Sequence, residues 1–125
     1  MTDRRRLKYL DLLRIRQPVP AVVSILHRIS GAALFLFAGV LLYLFQASLQ
    51  SPESYVRFRD LADAWWMKLF LIGMLWALLH HFLAGIRFLL LDIHVFGDLR
   101  QARATSWAVL AASLMLTAAL GALLW

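Results

Sequence analysis

The chain has 125 residues, 13 Lys and Arg against 7 Asp and Glu, and 62% hydrophobic residues, where a soluble domain averages about 45–50%. Its charged fraction of 16% lies well under the roughly 25% that keeps a globular surface wet, which argues for a bilayer and against a soluble enzyme. Cys is absent, so disulfides, thiolate metal sites, iron–sulfur ligation and covalently attached c-type haem are excluded, and a redox metal would have to be held by His. A net charge of +6 would suggest nucleic acid in a soluble protein. In a bilayer protein it is better explained by the basic residues that collect on the cytoplasmic side.

The first 20 residues form a basic leading segment. Before Ile29 stand Arg4, Arg5, Arg6, Lys8, Arg14, Arg16 and Arg28 against only Asp3 and Asp11, which predicts a cytoplasmic N-terminus. Within this segment LKYLDLLRIR (7–16) sets Leu7, Leu10 and Leu13 near one side of a short helix suited to the membrane interface. Pro18 and Pro20 separate it from the first apolar run. Residues 29–49 carry no charge, and about 20 residues at 1.5 Å each cross the hydrocarbon core, so a first span is expected over about 21–49. This run begins too late and is too long for a signal peptide.

The connection 50–64 carries Arg57 and Arg59 against Glu53, Asp60 and Asp63 and suits the outer side. A second span is expected over about 65–91, with Lys68 near one end, Arg87 and Asp92 near the other, and His80 and His81 inside. The connection 92–105 brings Arg100 and Arg103 back to the cytoplasm, and an uncharged third span over about 106–125 leaves the C-terminus outside. Trp65, Trp66, Trp107 and Trp125 fall near the expected span ends, where indoles prefer the headgroup layer. The fold class is an all-α membrane protein: a leading segment 1–20 and a three-helix transmembrane domain 21–125. No internal repeat is present, which argues against a small alternating-access transporter.

Ionisable residues at membrane depth cost a few kcal/mol each and mark either a function or a buried pair. The first cluster is SILHRISG (24–31), in which Ser24, His27, Arg28 and Gly31 share one helical stripe. Their hydroxyl, imidazole and guanidinium offer donors to a carbonyl or carboxylate, and Gly31 leaves room for a planar group. The bland alternative is a helix start with a snorkelling Arg. In the second cluster, stepping by four from Gly73 gives Ala77, His81 and Gly85, a groove of small residues with an imidazole at its middle. A haem edge would fit it, and so would ordinary helix packing. His80 points about 100° away and reads as a buried cross-helix hydrogen bonder, while His94 reads as interfacial. With one candidate axial imidazole and none placed to oppose it, the chain calls for a partner. Ser113, Thr117 and Gly121 form a further stripe that could seat a neighbouring helix.

With these residues in view, the chain resembles the cytochrome b membrane-anchor subunits of succinate dehydrogenase. The likeness runs nearly end to end through LDLLRIRQP (10–18), SILHRISG (24–31), SPE (51–53) and HFLAGIRFLLLD (81–92). The family patterns are Ser-x-x-His-Arg-x-[Ser/Thr]-Gly and His-x3-Gly-x-Arg-His followed by an Asp. The resemblance implies a multi-pass subunit of the bacterial inner membrane. It also implies a flavoprotein with FAD, an iron–sulfur subunit and a second small membrane anchor as partners, with haem b shared between the anchors and a quinone as the acceptor of electrons from succinate. It implies His81 as a haem ligand, with the second axial ligand from the partner anchor. Ser24 and Arg28 would bind quinone, and His27 and Arg28 would lie near the haem propionates. Gly31, Ala77, Gly85 and Phe88 would pack against the macrocycle. One departure stands out: the family usually has His where this chain has Phe88. Asp92 keeps the expected spacing and could pair with an Arg at the membrane surface. A fumarate reductase anchor and a haem-free structural anchor are the alternatives, because the direction of electron flow is not written in this chain and the topology needs no cofactor.

Overall fold

The computed structural model describes residues 16–125, which form four helices: α1 (Val19–Gln50), α2 (Pro52–Asp63), α3 (Trp65–Asp92) and α4 (Leu99–Leu124). The interfacial helix expected over 7–16 falls almost entirely outside the described residues. Helices α1, α3 and α4 are long and apolar enough to cross a membrane. They alternate in direction. His27, early in α1, meets His81 and Phe88, late in α3, and Phe37 meets Phe70; Arg87 and His80 of α3 meet Thr105 and Ser113 of α4 in the same antiparallel order.

Two helix ends differ from the sequence expectation. Pro20 does not delay α1, because in the first turn its missing N–H has no intrahelical acceptor to lose. Helix α4 begins at Leu99, seven residues before the expected 106. Hydropathy marks only the hydrocarbon crossing, whereas backbone hydrogen bonding continues through the headgroup layer and carries Arg100 and Arg103 on exposed helical turns. Trp107 therefore sits two turns inside α4, still 62% exposed where the helix enters the apolar layer.

The expected connection 50–64 is mostly a helix. At its start Ser51 and Ser54 form a reciprocal capping box and Pro52 occupies the first turn. Glu53 completes the signature at the positive end of the helix dipole, and hydrogen bonds from the backbone and from Ser51 hold its carboxyl below the ordinary value. Helix α2 is too polar to span. It folds back on the C-terminal end of α1 and the N-terminal end of α3, lining a crevice with Tyr43, Leu44 and Ala47 of α1. There Lys68 of α3 pairs with Asp63 at 3.2 Å and lies over the Trp125 ring.

Helix α3 ends in a Schellman motif. The N–H of Val95 bonds the carbonyl of Leu90, the N–H of His94 bonds that of Leu91, and His94 adopts the left-handed conformation at φ 59°. His94 is thus the residue that stops the helix, and it is exposed.

The interior mixes small and polar residues with a few apolar ones, and many large apolar side chains lie outside. Phe35 is 83% and Leu123 81% exposed, while His80, Ser106 and Ser113 are 0% exposed and Arg87 is 4%. Small and polar residues let the helices approach, and the large apolar side chains face outward to lipid or to a partner. Ser113 and Thr117 are buried within this chain's own bundle, while Gly121 lines the groove between α3 and α4.

Candidate functional site

The two motif-bearing segments meet where the first half of α1 crosses the second half of α3. His27 stands eight residues into α1 and His81 eleven before Asp92, so both lie about 12–16 Å along their helices from that end. Their rings stack face to face, with centroids 4.1 Å apart and planes 8° from parallel. The His81 Nδ1 lies 3.0 Å from the backbone carbonyl of His27 and 3.3 Å from Ser30 Oγ. A carbonyl only accepts, so Nδ1 carries the proton and donates it. The neutral ring then presents its lone pair at Nε2, the atom an axial ligand uses.

Both expected motif glycines lie at this crossing, in different ways. Gly31 faces His81: a Cβ there would come within 2.7 Å of its Cε1. The planar group that Gly31 admits in this structure is an imidazole. Gly85 faces His27, where a Cβ would make an ordinary contact of 3.6 Å to Nε2. Phe88, in the place of the family's His, packs against the buried cluster of Val23, Ala84 and Val109, with its ring 5.2 Å from that of His27. Ser24 is half-buried and Arg28 exposed, one helical turn apart on the same end of α1.

The stripe Gly73, Ala77, His81 and Gly85 does not form one groove. Each step of four residues advances about 40° around the helix, so three steps turn the line by about a third of a circle. Gly73 therefore opens on the crevice between α3 and α4, beside Trp76 and Thr117, Ala77 is buried, and only His81 and Gly85 face α1.

Two ionisable residues belong to the bundle interior. His80 is fully buried against α4, with Nδ1 3.5 Å from Ser113 Oγ, its ring stacked on Trp76, and Nε2 without a partner. Arg87, counted from sequence only as a topology marker, is buried and ties α3 to α4. Its Nε donates to Thr105 Oγ1 and a terminal nitrogen donates to the Ala102 carbonyl, both at 3.1 Å. The seven-residue spacing from His80 to Arg87, two turns on one face, was the available signal. Asp92 is exposed, and among the described residues it has no ion pair.

The arrangement fits an axial ligand to a haem. It offers an imidazole on a half-exposed seam, with Nδ1 hydrogen-bonded to a carbonyl and Nε2 without a hydrogen bond among the described residues. The parallel stack places His27 beside His81, where it cannot oppose it across one metal. Among the described residues no group of three His or acidic side chains converges on a metal position.

Comparison with known proteins agrees with the motifs. Residues 1–120 match the family model described as succinate dehydrogenase/fumarate reductase transmembrane subunit. The succinate dehydrogenase cytochrome b556 subunit of Coxiella burnetii is 34% identical over 117 residues, covering 93% of this chain and 94% of that protein. The subunit of the same name from Paracoccus denitrificans is 33% identical over 81% of this chain and 78% of its own. That of Rickettsia felis is 31% identical over 79% and 77%. The chain belongs to the succinate dehydrogenase/fumarate reductase transmembrane subunit family.

Proposed function

We propose that this chain is the cytochrome b anchor of a succinate:quinone oxidoreductase, binding haem b through His81 and helping to bind the quinone that accepts electrons from succinate. The observation that carries the reading is the His81 imidazole, held by Nδ1 on the His27 carbonyl, with no hydrogen bond to Nε2 among the described residues. It stands in a chain whose named relatives are cytochrome b556 subunits. Bound haem would supply a one-electron centre with a potential set by its ligands and surroundings.

The chain's own residues have separate tasks. His81 would hold the haem iron, with a further ligand supplied by a second small anchor, because His27 stacks beside His81 and does not face it. His27 and Arg28 lie beside it at the inner end of α1, where propionates would need cationic or hydrogen-bonding partners. Gly31 and Gly85 keep the crossing close, and Ala77 and Phe88 pack it. Quinone reduction places negative charge on the quinone oxygens. A hydroxyl at Ser24 donates a hydrogen bond there, and the fixed charge of Arg28 stabilises the oxyanion without giving up its proton. The flavoprotein with FAD and the iron–sulfur subunit dock on the cytoplasmic face, in the bacterial inner membrane, so that electrons arrive at the end of α1 carrying these residues.

Purification through a tag on this chain tests the reading. The flavoprotein, the iron–sulfur subunit and a second small anchor should co-purify, and the complex should show a b-type reduced-minus-oxidised spectrum that is lost in His81→Ala. A complex without a Soret band would make this a haem-free structural anchor, and turnover only from quinol to fumarate would make it a fumarate reductase anchor.

A further inference from the structure

The six glycines of the chain are unequal. A Cβ at Gly39, Gly73, Gly97 or Gly121 would meet nothing within 4 Å, and one at Gly85 would make ordinary contact. Only at Gly31 would it collide, at 2.7 Å from His81 Cε1 and 3.2 Å from Nδ1. The neighbour there is the rigid ring of a side chain held by its own hydrogen bond, so it cannot swing aside without releasing the His27 carbonyl. Beside it Ser30 is 2% exposed, and its hydroxyl donates to that same carbonyl at 2.9 Å. With its proton committed there, the Ser30 oxygen can only accept from His81 Nδ1–H at 3.3 Å.

We infer that Gly31 and Ser30 are positioning residues for the axial imidazole: Gly31 lets His81 reach the backbone of α1, and Ser30 adds a second acceptor at Nδ1–H, together fixing the tautomer and strengthening Nε2 as a donor to iron. This rests on the reading of His81 as a haem ligand. The space at Gly31 belongs to the ligand, so its loss acts on the iron before it acts on haem packing. Acceptors at the far nitrogen of a metal-bound His orient the ring and raise its basicity, and losing such a partner typically costs about 10–100-fold in metal affinity. A stronger donor favours ferric over ferrous haem, so both residues hold the midpoint potential down.

The test uses the assembled complex carrying Gly31→Ala, Ser30→Ala, Ser30→Thr or, as a control on the outward face of α1, Gly39→Ala. The readouts are the haem midpoint potential and the low-spin electron paramagnetic resonance g-values, neither of which depends on turnover. Gly31→Ala should bind haem about 10–100-fold more weakly. Its potential should rise, by about 59 mV for each tenfold preferential loss of ferric binding, with shifted g-values. Ser30→Ala should move both readouts in the same direction by less, because the carbonyl at 3.0 Å remains. Ser30→Thr, which keeps the hydroxyl, should restore them, and Gly39→Ala should leave them unchanged. Wild-type potential and g-values in Gly31→Ala would overturn the inference. If that variant does not assemble, wild-type values in Ser30→Ala would overturn it equally. Retention of the native haem spectrum in His81→Ala would instead remove the ligand assignment itself. Loss of haem in His81→Ala together with wild-type values in the other two defeats this inference alone.

Discussion

Adjacent histidines on one helix offer a sharp separation of roles, and His80 is the informative member. It is fully buried, its Nδ1 has a long 3.5 Å contact to Ser113, and its Nε2 has no hydrogen bond among the described residues. Replacing it with Leu keeps most of the volume, which costs under about 1.5 kcal/mol in a well-packed interior. The change also removes a buried ring nitrogen with no hydrogen bond among the described residues, and an unmet buried polar group costs about 1–3 kcal/mol. Ser113 is not orphaned, because its hydroxyl already donates to the Leu110 carbonyl at 3.0 Å. His80→Leu should therefore be neutral or stabilising by about 1 kcal/mol. His80→Ala gains the same relief but opens a cavity worth about 2–5 kcal/mol, a net loss of about 1–3 kcal/mol. Thermal unfolding of the purified complex should rank Ala below wild type and wild type at or below Leu, and both variants should keep full haem by reduced-minus-oxidised difference spectrum. A fully assembled His80→Leu complex without haem would refute the assignment of the two histidines. A Leu variant melting as low as the Ala variant would show that the imidazole has a partner worth more than its cost.

Ser24→Ala removes a donor but little volume, so electron delivery from succinate to an artificial soluble acceptor should persist while quinone reductase activity falls; Arg28→Leu should lower it further and perturb the haem spectrum. Quinone reduction at wild-type rates in both assembled variants would place the quinone elsewhere. Arg87→Met should cost about 1–2 kcal/mol, because Ala102 and Thr105 keep partners in Ser106 Oγ and the Gln101 carbonyl; in a double-mutant cycle with Thr105→Ala measured by unfolding, the coupling should be about 0.6–1.7 kcal/mol, and zero coupling would contradict the tie between α3 and α4. Reporter fusions should place the N-terminus in the cytoplasm and the C-terminus outside, and C-terminal reporters active only in the cytoplasm would invert the topology.

What the sequence made legible was set by the length scale of each signal. The three crossings are written in long apolar runs, and α1, α3 and α4 contain them. The ends are not, because hydropathy stops at the edge of the hydrocarbon while hydrogen bonding does not; hence the early start of α4 at Leu99. Helix α2 had local signals in Ser51, Pro52 and Glu53, but its polarity gave no reason to look for a helix among loop residues. At the site, the i, i+3, i+4, i+7 spacing put His27 and Gly31 on one stripe and the step of four put His81 and Gly85 on another, and these four residues meet where α1 crosses α3. Spacing could not show that the two stripes face each other, nor that Gly31 admits the other helix's imidazole, since which faces meet is decided by tertiary packing. The step-of-four line failed at Gly73 because it drifts around the helix.

Exposure divides the polar residues at membrane depth into two kinds that composition treats alike. His80 and Arg87 point inward, and their partners, where they have them, lie in α4 of the same chain; their work is to hold the bundle together. His27, His81 and Arg28 are half-buried or exposed on the other side of the molecule, at the crossing of α1 with α3. A polar group facing lipid is costly unless it reaches the headgroups or a partner, so the rim is where a partner outside this chain would act. The inward residues complete the fold, and the proposed haem and quinone roles fall on the rim residues around His81. Exposure makes that division and sequence adjacency does not, since His80 and His81 stand side by side.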